Sequence, residues 1–288
     1  MEPIIISSDS PCDLPLELTL QHQIPIFHLP VMVGEDTRAD GDTISAAGIF
    51  TLYEEQHIMA RTVAASIAAY KTHFESILED HPGASIIHFV LSSDITSGYN
   101  SAGAAAKTLN EEGARVDVID SRSLSVGMGA LVLKAVDFRD GGMGAEEIVS
   151  TVNDLRAKVN TSFVLDTLEY MRRGGRCSAV QALGANLLKL KPCIEMPAGA
   201  LVVGKKYRGK MADVLTEYTD ERLRAAKDPD FTRAFIAQSG RAEGLLAPVE
   251  KRLRDAGFRE VVFGSVGATV AVHCGPGTVG VIFIDNGK

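Results

Sequence analysis

Three short clusters of oxygen-bearing side chains each follow an apolar run. Ser7-Ser8-Asp9-Ser10 follows Ile4-Ile5-Ile6, Ser92-Ser93-Asp94-Ile95-Thr96-Ser97 follows Ile86 to Leu91, and Asp120-Ser121-Arg122-Ser123 follows Val116 to Ile119. Hydroxyls placed where a buried strand ends and a helix opens can do one of two things. They cap the helix by accepting its first N–H groups, or together with the helix N-terminus they offer donors to an anion. The middle cluster feeds an alanine-rich helix expected over Ala102 to Leu109 and is open to both readings.

The histidines narrow the chemistry. Seven are present, with no H-E-x-x-H pair among them. His273 alone stands in a glycine-rich, otherwise apolar stretch, either as a core histidine bonded to a backbone carbonyl or as a donor to an anionic ligand. No G-x-S-x-G elbow occurs, and a serine nucleophile at Ser93 needs a base, a role that only folding could give to His273. Gly275-Pro276-Gly277-Thr278-Val279-Gly280 matches G-x-G-x-x-G, but the residues after Gly280 hold no helix, second strand or ribose-binding acid, so a glycine turn is expected rather than a dinucleotide site. There is no phosphate-binding G-x-x-x-x-G-K-[S/T] loop. The four cysteines, Cys12, Cys177, Cys193 and Cys274, form no C-x-x-C and have no histidine at zinc spacing, so free buried thiols and no metal are expected. Arg172, Arg173 and Arg176 are either solvated helix-end charges or contacts for an acidic partner.

The elements that must position these groups alternate between strand and helix. Helices are expected over Leu14 to Gln21, from Ser45 to Gln56, from a Ser66 cap to Leu78, and from Ser125 to Phe138. Alternation of this kind argues for a largely parallel sheet, and such sheets bind ligands beyond the carboxyl ends of their strands, where the three polar clusters fall. The second half reads as a mixed α/β unit. It has a strand at Thr161 to Leu165, a short helix stopped by Gly174-Gly175, and a helix capped by Ser178 and running to Lys189. A hairpin around Pro197-Ala198-Gly199, a helix from Asp213 to Ala226 and further strands follow. The expected division is 1–158 for the parallel-sheet domain and 159–288 for the mixed domain.

Bulk composition excludes several classes. The chain of 288 residues is 45% hydrophobic and 23% charged, an ordinary globular balance. A net charge of −8 without a basic run argues against nucleic-acid binding. Val261 to Ile284 carries no charged residue, but five glycines and Pro276 interrupt it, so two buried elements joined by a turn are expected rather than a transmembrane segment. Met1-Glu2-Pro3 has no basic segment before a long apolar one, so no signal peptide and a cytoplasmic location are expected.

Taken in order, Ser7-Ser8-Asp9-Ser10 with Asp13-Leu14-Pro15, Asp40-Gly41-Asp42, Thr62 to Ser66, Leu91 to Ala102, Asp120-Ser121, Glu169 to Ser178, Lys191-Pro192 and His273 to Gly280 resemble the DegV family, whose members include the fatty-acid-binding subunits of bacterial fatty acid kinase. The resemblance spans nearly the whole chain. It implies a two-domain α/β protein, itself no enzyme and without a cofactor, holding a long-chain fatty acid in a tunnel between the domains. It places the carboxylate on Thr62, Ser93 (with Ser92 beside it) and His273. It further implies presentation of the carboxylate to a separate ATP-binding kinase subunit, with Arg173, Arg176 and Arg208 as docking residues. The chain departs from the family pattern twice. T-S-Q-P-S reads Thr62-Val63-Ala64-Ala65-Ser66, and S-S-x-L-S-G-T-Y reads Ser92-Ser93-Asp94-Ile95-Thr96-Ser97-Gly98-Tyr99, with an unexplained negative charge at Asp94. The alternatives that remain are a serine hydrolase acting on acyl esters and a module for a different small molecule.

Overall fold

The computed structural model describes residues 3–176 and 190–287. Cys177 and the helix expected from Ser178 to Lys189 lie outside the described residues.

Three sheets organise the chain. In the first, Ile26–Phe27, Ile4–Asp9, Ser85–Val90 and Arg115–Asp120 lie in that order, all parallel. Ser85–Val90 is buried along its whole length, as an apolar strand with packing on both faces must be. Because the strands are parallel, Ser7 to Asp9, Ser92-Ser93 and Asp120 to Ser123 gather at one edge. Ser66 caps its helix as expected, accepting from Ala69 N at 3.1 Å, and Ser45, expected as the first helical residue, caps its helix instead, accepting from Gly48 N at 3.2 Å. The middle cluster behaves differently. Its helix starts at Gly98, four residues before the expected Ala102, and Ser97 in the cap position makes no side-chain cap bond.

The second sheet runs Val202–Arg208, Leu190–Glu195, Ser162–Val164, Thr278–Asp285, Pro229–Ser239 and Glu260–Ser265, with Val159–Asn160 pairing Thr278–Asp285. Among the described residues of this sheet, only Pro229–Ser239 and Glu260–Ser265 pair in parallel. The third is a small antiparallel sheet of Asp36–Ala39, Pro30–Val33 and Arg61–Thr62. Among the described residues, strands before residue 159 pair only with one another, as do those after it.

One helix joins the two larger sheets. Val126–Asp140 is buried from Val126 to Leu133 without a break, and it packs against strands of both sheets. A helix apolar on every side belongs inside. It lies so close that a Cβ at Gly129 would sit 2.7 Å from the Cys12 carbonyl oxygen, so only glycine fits there. Its core includes Ile6, Phe89 and Ile119 from one half and Phe235, Val262 and Ile282 from the other.

The uncharged stretch Val261 to Ile284 folds as three elements, one more than its pattern predicts. These are the strand Glu260–Ser265, the helix Ala268–Cys274 and the strand Thr278–Asp285. The helix is too short for its period to register beside two apolar strands. Among the described residues no helix is long and apolar enough to cross a membrane.

Candidate functional site

Between the two larger sheets lies a cavity of about 490 Å³, of the size of small-molecule sites. Leu29, Leu91 and Leu124 line it from the first half, and Phe163, Met171 and Ile282 from the second. Thr62, Ser93, Arg176 and His273 bring polar groups to the same walls.

His273 occupies the last turn of Ala268–Cys274, and Thr62 ends the short strand Arg61–Thr62. Their side chains meet, with Thr62 Oγ1 3.0 Å from His273 Nε2. Burial, with the nearby Arg176 charge, pushes His273 down to about 4, so the imidazole is neutral at pH 7. Its Nδ1 has no hydrogen-bond partner among the described residues. That edge of the ring rests on Gly174, where a Cβ would stand 2.2 Å from Nδ1, so the glycine that ends the helix Glu169–Gly174 also makes room for the histidine.

Ser93 lines the cavity but its proton is engaged. Its Oγ donates to Asp120 Oδ2 at 2.6 Å, its N–H to Asp120 Oδ1 at 3.1 Å, and Arg122 Nη1 donates to its Oγ at 3.1 Å. No hydrogen bond links Ser93 to His273 among the described residues, so a serine–histidine nucleophile pair is not assembled. Ser92, expected beside it, is fully buried away from the cavity wall and donates to the Gly199 carbonyl at 2.8 Å.

Asp94 finds its explanation in Arg122, which donates to both of its carboxylate oxygens at 3.0 and 2.9 Å and so offsets the negative charge at the cavity mouth. The same guanidinium reaches the Ala198 carbonyl. Together with Ser92 it ties the strand ends of the first sheet to the hairpin turn Pro197–Gly199 of the second. Arg122 was visible in its Ser/Asp cluster, but nothing in the sequence pairs it with a residue 28 positions earlier.

The helix carrying His273 is anchored from the first half. Gly267 N donates to Asp13 Oδ1 at 2.8 Å and Ala268 N to Asp40 Oδ1 at 2.5 Å, carboxylates at a helix N-terminus where negative charge is favoured. Ser125 donates to Asp13 and Ser10 to Asp40, the latter at 2.8 Å. Burial, and secondarily Asp40, raises Asp13 to about 7.

A second Ser–His–Asp group lies off the cavity wall. Ser7 Oγ is 3.0 Å from His88 Nδ1, and His88 Nε2 is 3.2 Å from Asp9 Oδ1. Tyr70 donates to both Asp9 oxygens, at 3.0 and 3.2 Å, and Ser7 also contacts His73 Nε2 at 2.9 Å and donates to the Pro25 carbonyl. Ser7, Asp9, Tyr70 and His88 are essentially inaccessible. Burial, reinforced by His88, pushes His73 down to about 3.

The arginines differ in setting. Arg176 lines the cavity and donates to the Gly174 carbonyl at 3.0 Å. Arg173 is half exposed, paired with Glu169 at 3.0 Å and stacked over the Tyr53 ring. Arg208 ends its strand, exposed. Cys12, Cys193 and Cys274 are buried free thiols, each pushed up to about 12 mainly by burial. Among the described residues no group of three or more His, Cys, Asp or Glu side chains is placed to hold a metal.

Comparison with known proteins agrees with this architecture. A DegV domain-containing protein of Caldanaerobacter subterraneus is 30% identical over 284 residues, covering 98% of this chain and 99% of the relative. Among solved structures, the chain is similar to a DegV family protein from Thermus thermophilus described for its fatty acid binding. Identity is 25%, TM-score 0.85, and coverage 98% of this chain and 99% of that one. It is also similar to a stearic acid-binding protein from Eubacterium ventriosum, at 26% identity and TM-score 0.83, covering 99% and 98% of the two chains. The model of the DegV family of uncharacterised proteins matches residues 3–286, and the chain belongs to that family.

Proposed function

We propose that this protein binds a long-chain fatty acid in the cavity between its sheets, with the carboxylate at Thr62, Ser93 and His273. The observation that carries the reading is the contact of Thr62 with His273. It joins residues from the two halves at a polar spot on a mainly apolar cavity. Fatty acid binding by the Thermus thermophilus and Eubacterium ventriosum relatives supports it. Each hydrogen bond to a buried carboxylate contributes about 1.5–3 kcal/mol. The tail contributes about 0.8 kcal/mol per buried CH₂, less the cost of ordering it.

The division at 158/159 fits this reading, since each half supplies one wall. We further propose that the protein is a cytoplasmic, non-catalytic subunit that presents the carboxylate to an ATP-dependent fatty acid kinase, docking through Arg173, Arg176 and Arg208. The hydrolase alternative is disfavoured because the Ser93 proton goes to Asp120 and His273 turns to Thr62.

Mass spectrometry of an organic extract of the purified protein tests the reading, together with uptake of added palmitate. A long-chain fatty acid in the extract, or stoichiometric uptake, is expected. An empty extract with no uptake would overturn it.

A further inference from the structure

The helix Ala268–Cys274 presents two polar side chains to the cavity. Thr269 and His273 are four residues apart, hence on one face and about one turn from each other, about 6 Å along the axis. Both line the cavity. Thr269 is 6% exposed, and its hydroxyl has no hydrogen-bond partner among the described residues.

That isolation is unusual within this cavity. Its other buried hydroxyls are engaged. Ser125 donates to Asp13, Thr161 pairs with Ser123 at 2.8 Å, and Thr278 donates to the Cys274 carbonyl at 2.9 Å. A threonine inside a helix can bond the carbonyl four residues back, as Thr219 does to Leu215 at 2.7 Å. Thr269 is the second residue of its helix, so no helical carbonyl stands behind it to take its proton. A buried hydroxyl without a partner is costly and calls for an explanation. An alkyl chain lying beside it leaves it unpaired.

We propose that Thr269 is a specificity-determining residue that favours acyl chains bearing an oxygen close to the carboxylate, 3-hydroxy fatty acids being the class that fits. The inference rests on the fatty-acid reading of the cavity. With the carboxylate at His273, one helical turn spans the first few carbons of an extended chain. An oxygen there meets the Thr269 hydroxyl, which can donate or accept. Val266 and Val270, beside Thr269 on the cavity wall, offer no such partner.

Calorimetric titration with palmitate, both enantiomers of 3-hydroxypalmitate, and 12-hydroxystearate tests this on the full chain, Thr269→Val and Thr269→Ser. In the unaltered protein one 3-hydroxypalmitate enantiomer binds about three- to tenfold more tightly than palmitate, the worth of one added hydrogen bond. Thr269→Val abolishes that preference while still binding palmitate, Thr269→Ser keeps it, and 12-hydroxystearate gains nothing in any of the three. Equal binding of palmitate and 3-hydroxypalmitate by the unaltered protein overturns the proposal, as does a preference that survives in Thr269→Val. Tighter palmitate binding by Thr269→Val, without any hydroxy-acid preference in the unaltered chain, marks a hydroxyl that only holds water and also overturns it. Palmitate reads the parent hypothesis separately. If no acid binds, the fatty-acid reading fails and this inference with it.

Discussion

Two groups of serine, histidine and aspartate lie in this protein, and they do opposite things. Ser7, His88 and Asp9 stand in the order of a catalytic triad, yet they are sealed from solvent and from the cavity. Tyr70, His73 and the Pro25 carbonyl take up the remaining bonds of Ser7 and Asp9. Thr62, Ser93, Asp120 and His273 form no triad, but three of them line a cavity, and His273 keeps an unpartnered nitrogen. A satisfied buried network holds the first sheet together and has nothing left for a ligand. The cavity group has bonding capacity to spare. Access and unsatisfied atoms separate the two, not residue type.

Substitution has its largest effect in the sealed group. Asp9→Ala leaves Tyr70 and His88 without their buried partner and is expected to cost about 3–5 kcal/mol of stability, read by urea unfolding, with palmitate affinity of the folded protein unchanged. If Asp9→Ala weakened binding without lowering stability, the two groups would have exchanged roles. His273→Ala is expected to do the reverse, weakening palmitate binding by about ten- to a hundredfold with stability nearly unaltered. His88→Ala should leave affinity alone, so equal loss in both histidine variants would remove the assignment of His273.

Gly174→Ala sharpens the cavity side. The added methyl meets His273 Nδ1 and must push the ring away from Thr62. About a tenfold loss of palmitate affinity is expected, matching a lost hydrogen bond to a charged group. Retention of full affinity would mean that the ring position is unimportant. Ser93→Ala is expected to cost less, about three- to fivefold, because its hydroxyl must leave Asp120 to reach a ligand.

A separate effect is in pH. His273 and His73 are both held below their ordinary value, so the fold favours their neutral forms. Their contribution is complete above about 6.5 and is lost as pH falls, through about 4 for His273 and about 3 for His73. Asp13, raised to about 7, works the other way and offsets one of the two histidines, so unfolding midpoints should still drop between pH 6.5 and 4, and His273→Ala should leave that window nearly flat. An unchanged slope would contradict the neutral, buried imidazole.

Much of this was legible in the sequence for a physical reason. Parallel strands with apolar runs declare themselves, and their polar ends must share one edge, so Ser93 and Asp120 were placed together by topology alone. Ser66 was readable as a cap because capping is local. What escaped is long-range. The 3.0 Å contact of Thr62 with His273 spans 211 positions, and nothing in the sequence aligns Asp13 and Asp40 on the helix that carries His273. The triad-like set around His88 escaped because His88 stands opposite Ser7 across two parallel strands, with Asp9 two residues further along, a register only the folded sheet defines. Asp94 looked adverse because Arg122, which offsets it, belongs to another strand end.

The central claim is that the carboxylate of a long-chain fatty acid rests where Thr62 meets His273. A crystal structure of the protein with palmitate tests it most directly. A carboxylate oxygen is expected within about 3 Å of both Thr62 Oγ1 and His273 Nε2, ordinary hydrogen-bond distance, with the tail along Leu29, Leu91 and Ile282. A palmitate lying with its methyl end against His273, or bound outside this cavity, would contradict it.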